Sequence, residues 1–389
     1  MSELGAPTPQ RGRLVRVRRE HSDVALSAVG AVSAMAVGSA LGVPWELATP
    51  PTDAQRLDLR GRSGLFDEGE WGADVQLAVL GLEVAAQSAL GSQAALDQLA
   101  VRVMAWYRSH PAQVAPGLQS VLQWADQPSL APAHLRERIE RAQGEPLGAA
   151  RLVAAASARW ESLRPRARVA GNEVFALMVP VALSAALDSR ECTRVSLEVV
   201  RMVTPDPRTA LLAASYAQLL RGALAGFAPG KPWQECLDWH AAVENVSDGI
   251  GSLGSECPIF GVEGVADEDE AFLLSMRRGD DAGVASGLGA GLDAVSVMDR
   301  VLAAVRVAEW EQRGNAQLNP VWVGVSSAVR AGGDTDTVAC LAGALLGAAA
   351  GVGAVPADLA SQVWGWPGLR QDGLRDLATA AVYAGLMQK

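Results

Sequence analysis

The chain has 389 residues, of which 49% are hydrophobic and 20% charged, and its formal net charge is -10. So acidic a balance excludes the basic footprint that nucleic-acid binding requires, and the apolar fraction is ample for a large core. Aromatic residues make up only 5% while glycine numbers 40, a composition suited to close helix packing through small side chains.

Taken in order, residues 1–22 read as a basic, loosely ordered tail holding Arg11, Arg13, Arg16, Arg18 and Arg19, with no adjoining apolar stretch of the secretory kind. Residues 23–389 read as one domain with a cytoplasmic location and no membrane partner. The apolar run Val24–Val43 is long enough to suggest a span, but Ser27, Ser33 and Ser39 interrupt it and no second such run follows, so a buried core helix is expected. Apolar spacing of three and four residues predicts helices over 24–42, 74–90, 92–108, 147–162, 172–187, 206–225, 295–312, 334–350 and 368–387. Alternating β-branched runs are nearly absent, which predicts an all-α fold with few or no strands. Glycine and proline punctuate the chain at Pro50-Pro51, Gly61-Arg62-Ser63-Gly64 and Pro205-Asp206-Pro207. Two regions, 110–146 and 241–292, are the least readable; within the second, the acidic run Asp267–Glu270 ahead of Ala271–Arg278 suits a short helix and its dipole.

The four cysteines (Cys192, Cys236, Cys257, Cys340) show no CxxC spacing, and the four histidines (His21, His110, His134, His240) are dispersed, so neither a disulfide framework nor a zinc site is expected.

The sharpest local feature is Gly332-Gly333-Asp334-Thr335-Asp336-Thr337, followed at once by an apolar helical run. Two glycines allow a tight turn. One aspartate at such a helix start is accounted for as an N-cap. A second carboxylate two residues on is not, because paired buried carboxylates repel each other and resist desolvation. A hard cation taking oxygen ligands relieves that cost. Upstream, Asp74 in Glu70-Trp71-Gly72-Ala73-Asp74-Val75 opens another apolar run, and alone it reads as a cap. Glu46 closes Gly38-Ser39-Ala40-Leu41-Gly42-Val43-Pro44-Trp45-Glu46, a small-residue helix ending in a turn, and alone it reads as a surface residue.

Together and in this order, over about 28–387, these segments resemble the ADP-ribosylglycohydrolase family. Its members show G-D-A-L-G-x-P-x-E, W-T-D-D-T, S-N-G, T-H-x-D-P-R and G-G-D-T-D-T. The resemblance implies an orthogonal all-α globule holding two Mg²⁺ or Mn²⁺ ions. It also implies cleavage of the glycosidic bond between ADP-ribose and a protein side chain or small-molecule acceptor. Carried over residue by residue, Glu46, Asp334, Asp336 and Thr337 match one metal set in full, whereas only Asp74 survives of the other. Gly72, Ala73 and Val75 stand where a Thr, an Asp and a second Thr are expected, and Ser39 replaces the early Asp. Asn172 matches a phosphate- and ribose-contacting segment, but Glu173 occupies its glycine position, where a negative charge repels a pyrophosphate. Thr204 stands in place of a histidine, and Gly332 and Gly333 shape the ligand-side turn. The expectation is one firm cation and a weak or absent second, with Asp74 and Asp334 as catalytic candidates. Two readings stay open: a glycohydrolase working with one metal, and a catalytically impaired relative that binds ADP-ribose or another protein.

Overall fold

The computed structural model describes residues 21–142, 148–163, 171–254, 257 and 292–387. The tail 1–20, the acidic run Asp267–Glu270 and the helix expected over Ala271–Arg278 lie outside them. The described chain is helical almost throughout: α1 (Ser22–Gly42), α2 (Ala73–Ala85), α3 (Gln93–Arg108), α4 (Pro116–Asp126), α5 (Ala133–Arg141), α6 (Ala149–Leu163), α7 (Phe175–Ser184) and α8 (Ser189–Arg201) come first. They are followed by α9 (Pro207–Gly226), α10 (Trp239–Leu253), α11 (Ala294–Gly314), α12 (Pro320–Arg330), α13 (Thr335–Ala350), α14 (Ala357–Ala360) and α15 (Gln371–Met387). Among the described residues the only sheet is a two-stranded antiparallel pair, Trp364–Gly365 with Leu369–Arg370.

The centre is an antiparallel pair, α1 against α13. Its contact is backbone to backbone, which explains the small residues on both helices. A Cβ at Gly30 would fall 2.2 Å from Gly347 O, one at Gly38 2.1 Å from Ala339 O, and one at Gly343 2.5 Å from Ala34 O. Ser27 Oγ donates to Ala348 O at 2.8 Å at one end of the pair, and Thr335 Oγ1 donates to Gly42 O at 2.8 Å at the other. Such close approach gains many small dispersion contacts per residue. α1 is the one described helix long and apolar enough to cross a membrane, and 94% of that window is buried inside the protein. Around the pair lie α9, α11, α12 and α15, and α2 packs on α7 and α15. Tyr216 on α9 donates to Leu341 O at 3.0 Å, and the Trp106 indole on α3 donates to Gln76 Oε1 on α2 at 2.8 Å.

All nine expected helices are present, with shifted ends. α7 starts at Phe175 and not at 172, because Asn172 to Val174 form a turn. Inside α7, Pro180 is accommodated by Gly81 of α2, whose missing Cβ would sit 2.4 Å from Pro180 Cγ. Six further helices, α4, α5, α8, α10, α12 and α14, were not expected from periodicity. Start signals for three were present: Asp188 accepts from Glu191 N, Asp238 from Ala241 N, and Asn319 from Trp322 N ahead of Pro320.

Candidate metal centre

The close contact of α1 and α13 creates the site. A Cβ on Gly42, the last residue of α1, would lie 2.4 Å from Asp336 Cα, so the end of one helix abuts the start of the other. Beyond Gly42 the chain turns through Val43–Trp45, with Pro44 early in a single 3-10 turn, and Glu46 follows in a second turn that Ala48 N–H closes on Trp45 O at 3.0 Å. Leu47, at φ +53°, donates its N–H to Gly333 O at 2.8 Å and so fastens the Glu46 segment to the glycine turn. Gly332 and Gly333 both take left-handed φ, 72° and 77°. Arg300 Nη1 donates to Gly332 O at 2.7 Å, and a Cβ at position 333 would fall 2.1 Å from that same nitrogen.

The result is a cluster in which one carboxylate oxygen from each of Glu46, Asp334 and Asp336 lies within 4.8 Å of the others. Asp334 occupies the N-cap position of α13 but makes no capping hydrogen bond. Its Oδ2 instead accepts from the Asn172 amide. Asp336 is 1% exposed, and its Oδ1 has no hydrogen-bond partner among the described residues. Glu46 Oε2 accepts from Arg62 Nη1 at 2.5 Å, and its Oε1 accepts from Gln113 Nε2 at 2.7 Å. Asp74, in the first turn of α2, sits beside this cluster: Thr337 Oγ1 donates to its Oδ2 at 2.7 Å. A hydroxyl that donates keeps lone pairs for a cation. Gly72, one position before α2, donates its N–H to Ser39 Oγ at 3.0 Å, and a Cβ there would be 3.1 Å from Asp336 Oδ2.

The electrostatics match the crowding. Burial, then repulsion from Asp334, raises the Asp74 carboxyl to about 7. Burial, then the Asp334 and Glu46 charges, pushes Asp336 well above the ordinary carboxyl range. Burial also raises Glu46, with Arg62 opposing and Asp334 adding to the shift. A buried oxygen without a partner, in a nest of mutually repelling carboxylates, fits a hard divalent cation.

Of the other expected site residues, Thr204 Oγ1 accepts from Asp206 N at 3.2 Å within its own turn before α9. Glu173 is buried, with its carboxylate against two glycines: a Cβ at Gly117 would fall 1.7 Å from its Oε1 and one at Gly171 2.4 Å from its Oε2. Sequence reasoning missed Arg62, Gln113 and Arg300. Arg62 sits in a Gly-rich turn, and nothing local to any of the three marks it as a partner of the cluster.

A carboxylate nest at the meeting of helix ends in an all-α globule is a candidate metal site. A sequence profile of the ADP-ribosylglycohydrolase family matches residues 20–388, and the chain belongs to that family. A solved structure described as an "ADP-ribosylglycohydrolase-related protein complex" is similar in fold, with a TM-score of 0.59 and 19% identity over 94% of this chain and 99% of that one. A comparison with curated protein sequences returns no match.

Proposed function

We propose that this chain is a single-cation glycohydrolase. In this reading it hydrolyses the bond between the ribose of an ADP-ribosyl group and a protein side chain or small-molecule acceptor. The observation that carries it is the partnerless, buried Oδ1 of Asp336 inside the Glu46–Asp334–Asp336 cluster. Glu46, Asp334, Asp336 and the Thr337 hydroxyl are the residues that would hold one Mg²⁺ or Mn²⁺. With Gly72 and Ala73 offering no side-chain oxygen beside Asp74, a second cation has few protein ligands. When bound, the cation offsets the carboxylate charge and acts as a Lewis acid toward ligand oxygens.

The remaining roles belong to the chain's own groups. Asn172 orients the Asp334 carboxylate, and Thr337 fixes one oxygen of Asp74. Asp74 exchanges the proton as general acid and base. In the reaction, water oxygen bonds to the ribosyl carbon through an oxocarbenium-like state, the carbon–acceptor bond breaks, and the acceptor leaves with a proton.

One observation favours the second reading, a binding module without turnover. Both Glu46 oxygens are already engaged, by Arg62 and Gln113, so a cation competes with a guanidinium for that ligand. Two assays separate the readings. Millimolar Mg²⁺ or Mn²⁺ should raise the melting temperature, by the equivalent of about 2.7 kcal/mol at a hundredfold excess over Kd, and Asp336→Asn should abolish the rise. Free ADP-ribose should be released from modified arginine, serine or small-molecule conjugates by the native chain and not by Asp74→Ala. A cation shift without release from any conjugate supports the binding module; no cation shift refutes the single-cation glycohydrolase.

A further inference from the structure

We infer that Arg62 is a ligand-binding residue: its guanidinium lies at the mouth of the acidic cluster as the partner of Glu46, and it turns to a phosphate group of the ligand once a cation takes that carboxylate. The inference rests on reading the cluster as the site of a cation and an ADP-ribosyl ligand.

The local sequence holds Arg62 in place. It stands in Gly61-Arg62-Ser63-Gly64, where Gly61 and Gly64 take left-handed φ of 68° and 79°. The turn closes on itself: Arg62 N–H donates to Phe66 O at 2.8 Å, and Leu65 N–H donates to Arg62 O at 2.9 Å. Leu59 and Phe66, on either side, are buried in the protein. The backbone is thus anchored, and the long side chain is what can move. Arg62 Nη1 donates to Glu46 Oε2 at 2.5 Å, and the arginine side chain is 36% exposed against 12% for the glutamate. Arg62 therefore lies on the solvent side of Glu46.

A guanidinium carries five N–H donors in a planar fork. Among the described residues this one makes a single side-chain hydrogen bond, to Glu46. A divalent cation and a guanidinium are like charges drawn to one carboxylate, so filling the site weakens the pair. It leaves a tethered positive charge with its fork unfilled. Phosphate is an anion that the fork matches, through two parallel charge-assisted bonds. Arg60, two positions earlier, is not equivalent. Its Nε and Nη2 donate to Asp58 Oδ1 and Oδ2 at 2.5 and 3.0 Å, and its guanidinium carbon lies 5.1 Å from the centre of the Trp45 ring. That charge is answered by a carboxylate outside the cluster.

The test uses the full chain and two readouts that need no bond cleavage: Mn²⁺ affinity without ligand, and ADP-ribose affinity at saturating Mn²⁺. The proteins are the native chain, Arg62→Gln and Arg60→Gln, with near-UV circular dichroism to verify folding. A hydrogen bond to a charged group is strong enough to change affinity about tenfold. Arg62→Gln should therefore weaken ADP-ribose binding by about tenfold or more while Mn²⁺ binds as tightly as before or more tightly. Arg60→Gln should leave ADP-ribose affinity within about threefold of native. ADP-ribose binding that survives Arg62→Gln within that margin overturns the inference. So does an equal loss in Arg60→Gln, which reports only the general positive field, and so does weaker Mn²⁺ binding in Arg62→Gln, which makes Arg62 a positioning residue for Glu46. If Arg62→Gln does not fold, Arg62→Lys decides: it keeps the charge and loses the fork, so ADP-ribose affinity should fall at least about threefold with Mn²⁺ affinity retained, and native affinity for both overturns the inference. A native chain that binds Mn²⁺ but no ADP-ribose overturns the ligand reading along with the inference, whereas the outcomes above overturn the inference alone.

Discussion

Replacing Gly42 with alanine tests whether the contact of the α1 end with the α13 start builds the cation site. The new Cβ would lie 2.4 Å from Asp336 Cα, 2.5 Å from Asp336 N and 2.5 Å from Thr335 O, all backbone atoms that no side-chain rotation can move. Carbon contacts are comfortable at about 3.5–4.0 Å, so the two helix ends must separate by roughly 1 Å. Overpacking of this kind costs about 1–3 kcal/mol. The better helix propensity of alanine returns at most about 1 kcal/mol, and less at a terminal residue. The displaced residue is Asp336 itself, and ligand distances tolerate only about 0.2 Å. Gly42→Ala is therefore expected to lower stability in urea melts by about 1–3 kcal/mol and to weaken Mn²⁺ binding at least tenfold. Gly222→Ala in α9, where the added Cβ meets nothing within 4 Å, is the control. It should stabilise by about 0.4–1 kcal/mol and leave Mn²⁺ binding alone. A Gly42→Ala protein with native stability and native Mn²⁺ affinity refutes the reasoning.

Two other outcomes follow from the same geometry. For the metal-free protein, Asp74 moves from 3.8 to about 7, and Asp336, Glu46 and Glu173 shift in the same upward direction. A carboxyl raised on folding holds its proton in the native state after the unfolded chain has lost it, so its contribution is full below about pH 4 and is lost as pH rises through about 7. Melting temperature without metal should fall between pH 5 and pH 8, and Asp74→Asn should flatten that slope; a rise over the interval would contradict the assignment. Asn172→Ala removes the donor on Asp334 Oδ2. Loss of such a supporting hydrogen bond typically costs 10- to 100-fold in metal affinity, so titration should show Mn²⁺ binding weakened at least tenfold, and a change within twofold would mean that Asn172 does not orient the ligand.

Local patterning carried the helical class and the nine periodic helices, because a buried stripe repeats every turn whatever the helix packs against. It also marked the start of α13, since two aspartates after two glycines exceed what one cap explains. What it made of each acidic residue alone was incomplete. Asp334 looked like a cap and is at the cap position, yet its side chain is turned to Asn172 and makes no capping bond. Glu46 looked exposed, yet it is held by Arg62 and by Gln113, a residue 67 positions away.

By itself, then, the sequence determined which segments are helices and which helix starts carry surplus charge, because those properties depend on neighbours a turn away. The packing of distant helices alone brings Asp74 to Thr337 across 263 residues and lays the Glu173 carboxylate against Gly117. Those outcomes depend on the gaps that glycines leave between packed helices and on which buried donors need an acceptor, and neither is a property of any one stretch of chain.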